Sequence, residues 1–315
     1  MKTFKSFFTA KPDRRQILNL ILLLASVFLF LVFWFHPEYY TTGSMAKGNL
    51  SFAKKKILLE IVFLAGCFFL IFFPRKLLEN RKRLDRGLAV ALTLLTPPVA
   101  YLATTAVVRG MPINFSKKTN LDTSAEAVLL NLLIIAMILL VLLVLTNSLR
   151  IASVATLWIG ILFSLCNYFV FMFRDVPILA SDLYSIGTAM DVAGNYSFSL
   201  NFRGLLAVQG GFGFLLAFLS LRQTKLFDLK KRLVFGAASL LVLALFSKGI
   251  LFSDFLEQQG IKLGMFKPLI SYNRYGTFLT FVRSFQYLQV EEPEGYSPQK
   301  VEELAASYPS DSSSQ

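Results

Sequence analysis

The segment between Arg174 and Arg203 holds the polar side chains of this chain whose types could do chemistry. It reads RDVPILASDLYSIGTAMDVAGNYSFSLNFR and lies between two long apolar runs. Arginine donates charge-assisted hydrogen bonds to phosphate oxygens, and hydroxyl, amide and carboxylate groups can complete the contacts of a headgroup. We interpret the segment as a lipid-headgroup-binding or gating loop that uses Arg174, Asp175, Asp182, Tyr184, Asp191, Asn195 and Arg203. The alternative is a re-entrant or surface helix that only covers the end of a helical bundle.

No other set of side chains in the sequence indicates catalysis or metal binding. There is no phosphate-binding glycine-rich loop, and no pair of carboxylates occurs within an apolar run. His36 is the only histidine, and Cys67 and Cys166 both lie inside apolar runs, where packing is the ordinary role of a thiol. We therefore predict no catalytic residue, no metal site and no cofactor within this chain.

Apolar runs long enough to cross a membrane must position the polar loop. Hydrophobic residues make up 55% of the 315 positions and charged residues only 16%, with the charges clustered between the runs. Because a helix of about 20 apolar residues spans the hydrocarbon core, we predict an all-α, polytopic transmembrane bundle within residues 1–252. Its spans, about seven, are Gln16–Phe35, Ile57–Phe73, Gly87–Val108, Ala127–Thr146, Ile151–Phe173, Gly204–Leu221 and Leu233–Phe252. Pro97 and Pro98 predict a kink or a break in the third span.

Lysine and arginine residues set the expected orientation. The net charge is +13, and the segments placed on the cytoplasmic side carry more Lys and Arg than the outer loops. The positive-inside rule then predicts a multi-pass cell-membrane protein with a cytoplasmic N-terminus and an extracellular C-terminus. If the short second span does not cross, the orientation downstream of it inverts, and the basic run 54–56 favours that alternative. Since the basic residues lie between spans and not along one face, we predict no nucleic-acid partner.

Residues 253–315 differ in character from the spans. Within Tyr275–Leu288, Phe278, Phe281, Val282 and Phe285 recur at helical spacing and give one apolar face. We predict an amphipathic helix that lies along the membrane surface, with Arg274 and Arg283 toward the headgroups. Acidic and turn-forming residues and a serine-rich end follow, so we interpret the region as an extracellular juxtamembrane helix and linker.

Three stretches of the sequence resemble a known family. They are Asn167–Leu200 (NYFVFMFRDVPILASDLYSIGTAMDVAGNYSFSL), Leu145–Ala152 (LTNSLRIA) and Arg283–Ser297 (RSFQYLQVEEPEGYS). Together they resemble the membrane domain of the lipoteichoic acid synthase family of Firmicutes. The resemblance is specific between Leu145 and Ser297 and generic before that.

The resemblance implies a role in cell wall biogenesis. Family members pair an N-terminal helical bundle with an extracellular sulfatase-like domain that transfers phosphoglycerol from phosphatidylglycerol to a growing polymer. That domain uses a threonine nucleophile and a divalent metal such as manganese. The sequence ends at Gln315 before any such part, so no catalytic residue carries over. We expect a sulfatase-like domain to act in cis or in trans, with phosphatidylglycerol among the membrane lipids bound.

A self-contained membrane transporter or envelope-assembly subunit is the alternative function. It needs a polar pathway through the bundle, and the sequence offers little beyond Glu60, Glu126 and Asn131 near span ends. Spans nearly free of ionisable groups argue against a proton-coupled transporter or an ion channel.

Overall fold

The described part of the chain is helical throughout. The computed structural model describes residues 82–108, 123–185, 187, 202–221, 226–262, 264, 268–288 and 297–307, together with scattered positions between 17 and 69. Every regular element within these residues is a helix. In chain order they are α1 (Lys82–Val108), α2 (Ala125–Thr146), α3 (Leu149–Arg174), α4 (Phe202–Ser220), α5 (Leu229–Phe246), α6 (Phe255–Gln258), α7 (Pro268–Tyr275), α8 (Thr277–Ser284) and α9 (Pro298–Ser307). A 3-10 turn spans Ala180–Ser185, a π-helical turn spans Ser247–Leu251, and a second 3-10 turn spans Phe285–Tyr287.

Five of these helices, α1 to α5, are long and apolar enough to cross a membrane. They correspond to the third through seventh predicted spans, so the prediction of an all-α, multi-pass bundle is confirmed at that level. The first two predicted spans lie largely outside the described residues, and the count of seven stays a prediction. Of the kink or break predicted at Pro97 and Pro98, the break is wrong, because α1 continues through both prolines. The kink stays a prediction.

Small residues let α1, α3 and α4 approach one another closely. The Ser153 hydroxyl of α3 donates to the Thr93 hydroxyl of α1 over 3.2 Å, and both side chains are buried. A β-carbon on Gly160 would lie 3.1 Å from the Thr104 methyl group, and one on Gly211 of α4 would lie 2.9 Å from the Ile161 side chain of α3. Membrane helices pack tightly at such small residues because hydrocarbon supplies little drive to bury larger ones. The two contacts between α1 and α3 advance together along both chains, so these helices are parallel. Arg150 in the first turn of α3 donates to the Leu221 carbonyl just after α4, so α4 is antiparallel to α3.

The turn between α2 and α3 lies at one end of the bundle, here called the Asn147 end. Side chains there form hydrogen bonds with backbone groups of α2 and of the loop before α5. Asn147 adopts a left-handed conformation with φ 49°, and its side-chain amide exchanges hydrogen bonds with the backbone of Phe227. Arg232 of α5 donates from Nε to the Val144 carbonyl over 2.7 Å. A cation at the C-terminus of α2 is favourable because the helix dipole leaves negative charge there. The turn between α2 and α3 is therefore held by α5 and the loop that precedes it.

At the opposite end, here called the Arg174 end, the C-terminal segment packs into the bundle. Phe278 of α8 is 6% exposed and stacks on Phe163 of α3 with ring centroids 5.8 Å apart. The chain from Tyr275 is not one helix, because α7 ends at Tyr275 and α8 begins after Gly276. The prediction that Arg283 faces the headgroups is wrong, since its side chain is 1% exposed. Phe278 packs against protein where we expected membrane surface, and Phe285 lies outside α8 in the 3-10 turn and is 38% exposed. The predicted surface helix is therefore not confirmed.

Candidate functional site at the Arg174 end

The beginning of the predicted headgroup loop is folded around one ion pair. Arg174 donates from Nη1 to Asp182 Oδ1 over 2.8 Å and from Nη2 to Oδ2, which is the two-pronged geometry that arginine prefers with a carboxylate. Oδ2 also accepts the backbone N–H of Leu179 over 2.7 Å, so Asp182 holds the start of the 3-10 turn. Arg174 also donates from Nε to the carbonyl of Val176 over 3.4 Å. The ion pair is partly solvated, with the two side chains 42% and 25% exposed.

Three hydrogen bonds tie this loop to buried groups of α3 and of the C-terminal segment. The backbone N–H of Ile178 donates to Asn167 Oδ1 of α3 over 2.8 Å. The carbonyl of Ile178 accepts the hydroxyl of Tyr272 from α7, and the N–H of Ala180 donates to Ser284 Oγ of α8 over 2.8 Å. The loop, α3 and the α7–α8 segment therefore form one packed unit.

The hydroxyl of Tyr272 lies close to the ion pair and acts as a donor. Its side chain is 2% exposed, and burial raises the pKa of Tyr272 well above the usual range for a phenol. The negative charge of Asp182 raises the pKa further, while Arg174 opposes that effect. The phenol consequently keeps its proton at physiological pH and holds Ile178 in place.

Asn131 of α2 caps the N-terminus of α8 from a different helix. Its Oδ1 accepts the backbone N–H groups of Phe278 and Leu279, each over 3.1 Å, and its Nδ2 donates to the Tyr275 carbonyl over 2.7 Å. These two N–H groups are among those a helix leaves without an internal partner, and capping residues usually precede the helix in sequence. Here Gly276 occupies the capping position with φ 85° and supplies no side chain.

The predicted site residues fall into three groups in the structure. Arg174 and Asp182 are paired, and Asp175 and Tyr184 are exposed beside them, with Tyr184 81% exposed. Arg203 lies exposed in the first turn of α4, at the same end of the bundle. Asp191 and Asn195 lie outside the described residues.

This arrangement presents polar donors at one end of the bundle. Both terminal nitrogens of Arg174 are engaged by Asp182, so a headgroup phosphate that reaches this guanidinium must share it with the carboxylate or displace it. Within the described ranges, no group of three or more His, Cys, Asp or Glu side chains is placed to hold a metal ion. Within the described residues, the donors of Arg174 stabilise the fold of the loop itself.

Sequence reasoning missed the residues that connect the loop to the C-terminal segment. Tyr272, Ser284 and Asn167 gave no local signal, because their partners lie between 11 and 104 positions away in sequence. Asn131 did carry a signal. An amide within the otherwise apolar run of α2 needs a hydrogen-bonding partner when it is buried.

Comparisons with protein-family models, with curated proteins and with solved structures returned no match for this chain.

Proposed function

We propose that this chain is the membrane domain of a lipoteichoic-acid-synthase-like phosphoglycerol transferase that acts in cell-envelope polymer synthesis. In this role the bundle anchors the enzyme and presents phosphatidylglycerol from the outer leaflet to a sulfatase-like domain supplied in cis or in trans. A divalent metal such as manganese would belong to that catalytic domain. The proposal rests on the sequence resemblance described above.

The observation that best supports this role is the contact between two segments that carry the resemblance. Ala180, within Asn167–Leu200, donates its N–H to Ser284, within Arg283–Ser297, over 2.8 Å. The chain that follows α8 therefore starts beside the proposed headgroup loop. A domain attached to that chain, or docked on it, would have its active site near any lipid that the loop holds.

The experiment measures phosphatidylglycerol binding to the Arg174→Gln/Arg203→Gln variant in nanodiscs, with phosphatidylcholine as the background lipid. Basic residues near an anionic surface contribute about 1 kcal/mol each, so we expect binding to weaken roughly tenfold or more. Native mass spectrometry of the ejected complexes counts the bound lipids.

The matched control is Lys230→Gln/Lys231→Gln, which removes the same charge from exposed residues at the Asn147 end. This control should retain the wild-type preference for phosphatidylglycerol if the effect belongs to the loop. Equal binding by the arginine variant and the wild type, with matching thermal unfolding midpoints, would refute the loop role.

One observation favours the alternative of a self-contained transporter. Buried hydroxyl groups line the contact between α1 and α3, including Thr93, Thr96, Ser153 and Thr156, each at most 5% exposed. Ser153 and Thr93 bond directly to each other, so this polar stripe is packed in the structure described here. Movement of a polar solute across proteoliposomes, together with indifference to phosphatidylglycerol, would favour the transporter.

A further inference from the structure

We infer that Arg283 is the centre of a second anion-binding site, which takes the phosphate group of a phosphomonoester or phosphodiester, and that Glu257 occupies this site as a built-in competitor. The site lies on the side of α8 that faces α6. It does not include Arg174 or Arg203, and it stands whether or not the headgroup loop binds phosphatidylglycerol.

The first argument is that Arg283 is a buried cation with incomplete hydrogen bonding. Its side chain is 1% exposed, and its Nε has no hydrogen-bond partner in the part of the chain that the structure describes. Its other contacts are long: 3.5 Å to the Ile261 carbonyl, 3.4 Å to Glu257 and 3.2 Å to the Gln286 side-chain carbonyl. Charge-assisted bonds of this type normally measure about 2.7–2.9 Å. The N–H groups of this guanidinium can therefore still donate shorter, stronger hydrogen bonds to another acceptor.

The second argument is that the carboxylate paired with Arg283 is well exposed to solvent. The Glu257 side chain is 44% exposed while its partner Arg283 is almost fully buried. Glu257 belongs to α6, a single helical turn of four residues. A side-chain rotation of Glu257 would remove the carboxylate from Arg283 and leave the Ile261 carbonyl and Gln286 as its described contacts.

The third argument concerns a second cation, which is next in sequence to a residue that contacts Arg283. Lys262 is exposed and directly follows Ile261, whose carbonyl contacts Arg283. A phosphate group that displaces Glu257 would therefore bind the buried cation with a second cation one residue from the Ile261 contact. A phosphomonoester carries three unesterified oxygens, one more than a carboxylate, so it could bond the unsatisfied Nε of Arg283 as well as its terminal nitrogens.

The test compares Glu257→Gln with Glu303→Gln, both made in the Arg174→Gln/Arg203→Gln background so that the loop does not contribute. Glu303 is an exposed residue of α9, and its replacement changes the net charge equally. Two ligands are titrated separately: phosphatidylglycerol in phosphatidylcholine nanodiscs, and inorganic phosphate with phosphatidylcholine nanodiscs alone. Because Glu257 competes with either anion, its neutralisation should tighten binding about fivefold, while Glu303→Gln should leave it within about twofold.

The outcomes separate the source of the anion and can overturn the proposal. A gain for phosphatidylglycerol alone assigns the site to a lipid headgroup, and a gain for inorganic phosphate assigns it to a soluble phosphate compound. Adding Arg283→Gln to Glu257→Gln should abolish the gain. Equal behaviour of Glu257→Gln and Glu303→Gln overturns the proposal, and this comparison holds even where the Arg283 variant fails to fold.

Discussion

Gly276→Ala is expected to detach α8 from the bundle and to lower the thermal unfolding midpoint of the detergent-solubilised protein. Gly276 has φ 85° and ψ 168°, a backbone region that is open almost only to glycine and costs other residues about 1–3 kcal/mol. A β-carbon there would also lie 2.6 Å from Nδ2 of Asn131, which would displace the amide that caps α8. Strain and loss of the cap act together, so this single methyl group should have one of the largest effects in the described structure.

The matched control is Gly210→Ala in α4. Gly210 is exposed and helical, and a β-carbon there would meet nothing within 4 Å. Alanine is favoured over glycine inside a helix by up to about 1 kcal/mol, so this variant should be neutral or slightly more stable. Equal thermal unfolding midpoints for Gly276→Ala and Gly210→Ala would contradict the close packing of α8 on Asn131.

Asn131→Leu is expected to have a comparable effect by a different route. Leucine has a similar size but offers no hydrogen bond, so the N–H groups of Phe278 and Leu279 and the carbonyl of Tyr275 would be left buried without partners. Unsatisfied buried groups cost about 1–3 kcal/mol each, and we expect a total loss of roughly 2–4 kcal/mol after relaxation. Hydrogen–deuterium exchange of the peptide over residues 277–284 measures the loss directly, since two of its amides donate to Asn131.

Leu129→Ala is the comparison for this variant, because Leu129 is on the same helix and 57% exposed. Exchange over residues 277–284 should stay slow in Leu129→Ala and become at least tenfold faster in Asn131→Leu, since roughly 1.4 kcal/mol corresponds to a factor of ten. Slow exchange in both proteins would show that α8 does not depend on the amide.

The five helices that are long and apolar enough to cross a membrane could be predicted from sequence, because each one is determined by residues that are contiguous in the chain. A run of apolar residues must be long enough to cross the hydrocarbon core, and its ends are marked by polar residues. The predicted span Ile151–Phe173 corresponds to the helix Leu149–Arg174 in the structure. The helix is longer at both ends because Ser148 caps its N-terminus and Asp175, in the left-handed conformation, ends it. Such caps add one or two residues at each end of an apolar run.

The packing of the C-terminal segment could not be predicted, because it depends on contacts with residues that are distant in the sequence. The spacing of Phe278 and Phe281 predicted a helix with one apolar face, but periodicity does not say whether lipid or protein covers that face. Arg283 was assigned to the surface because charged residues are rarely buried without a partner. Its partner Glu257 lies 26 positions away, and nothing near Arg283 in the sequence indicates it.

The candidate site was predicted in part for a similar reason. Arg174 and Asp182 are eight positions apart, so a single polar segment indicated that they could act together. The hydrogen bonds of Ile178 with Tyr272 and of Ala180 with Ser284 join segments about 100 residues apart. Contacts between residues so far apart in the sequence cannot be inferred from local sequence patterns.

The most direct test of the proposed function asks which side of the membrane the loop faces. Tyr184 is 81% exposed, so Tyr184→Cys in a chain with Cys67 and Cys166 replaced by alanine gives one accessible thiol in the loop. Lys230→Cys in the same background places an exposed thiol at the Asn147 end. Labelling of intact cells with a membrane-impermeant maleimide should modify Tyr184→Cys and leave Lys230→Cys unmodified until the membrane is permeabilised. The reverse pattern would put the loop in the cytoplasm and contradict the presentation of an outer-leaflet lipid.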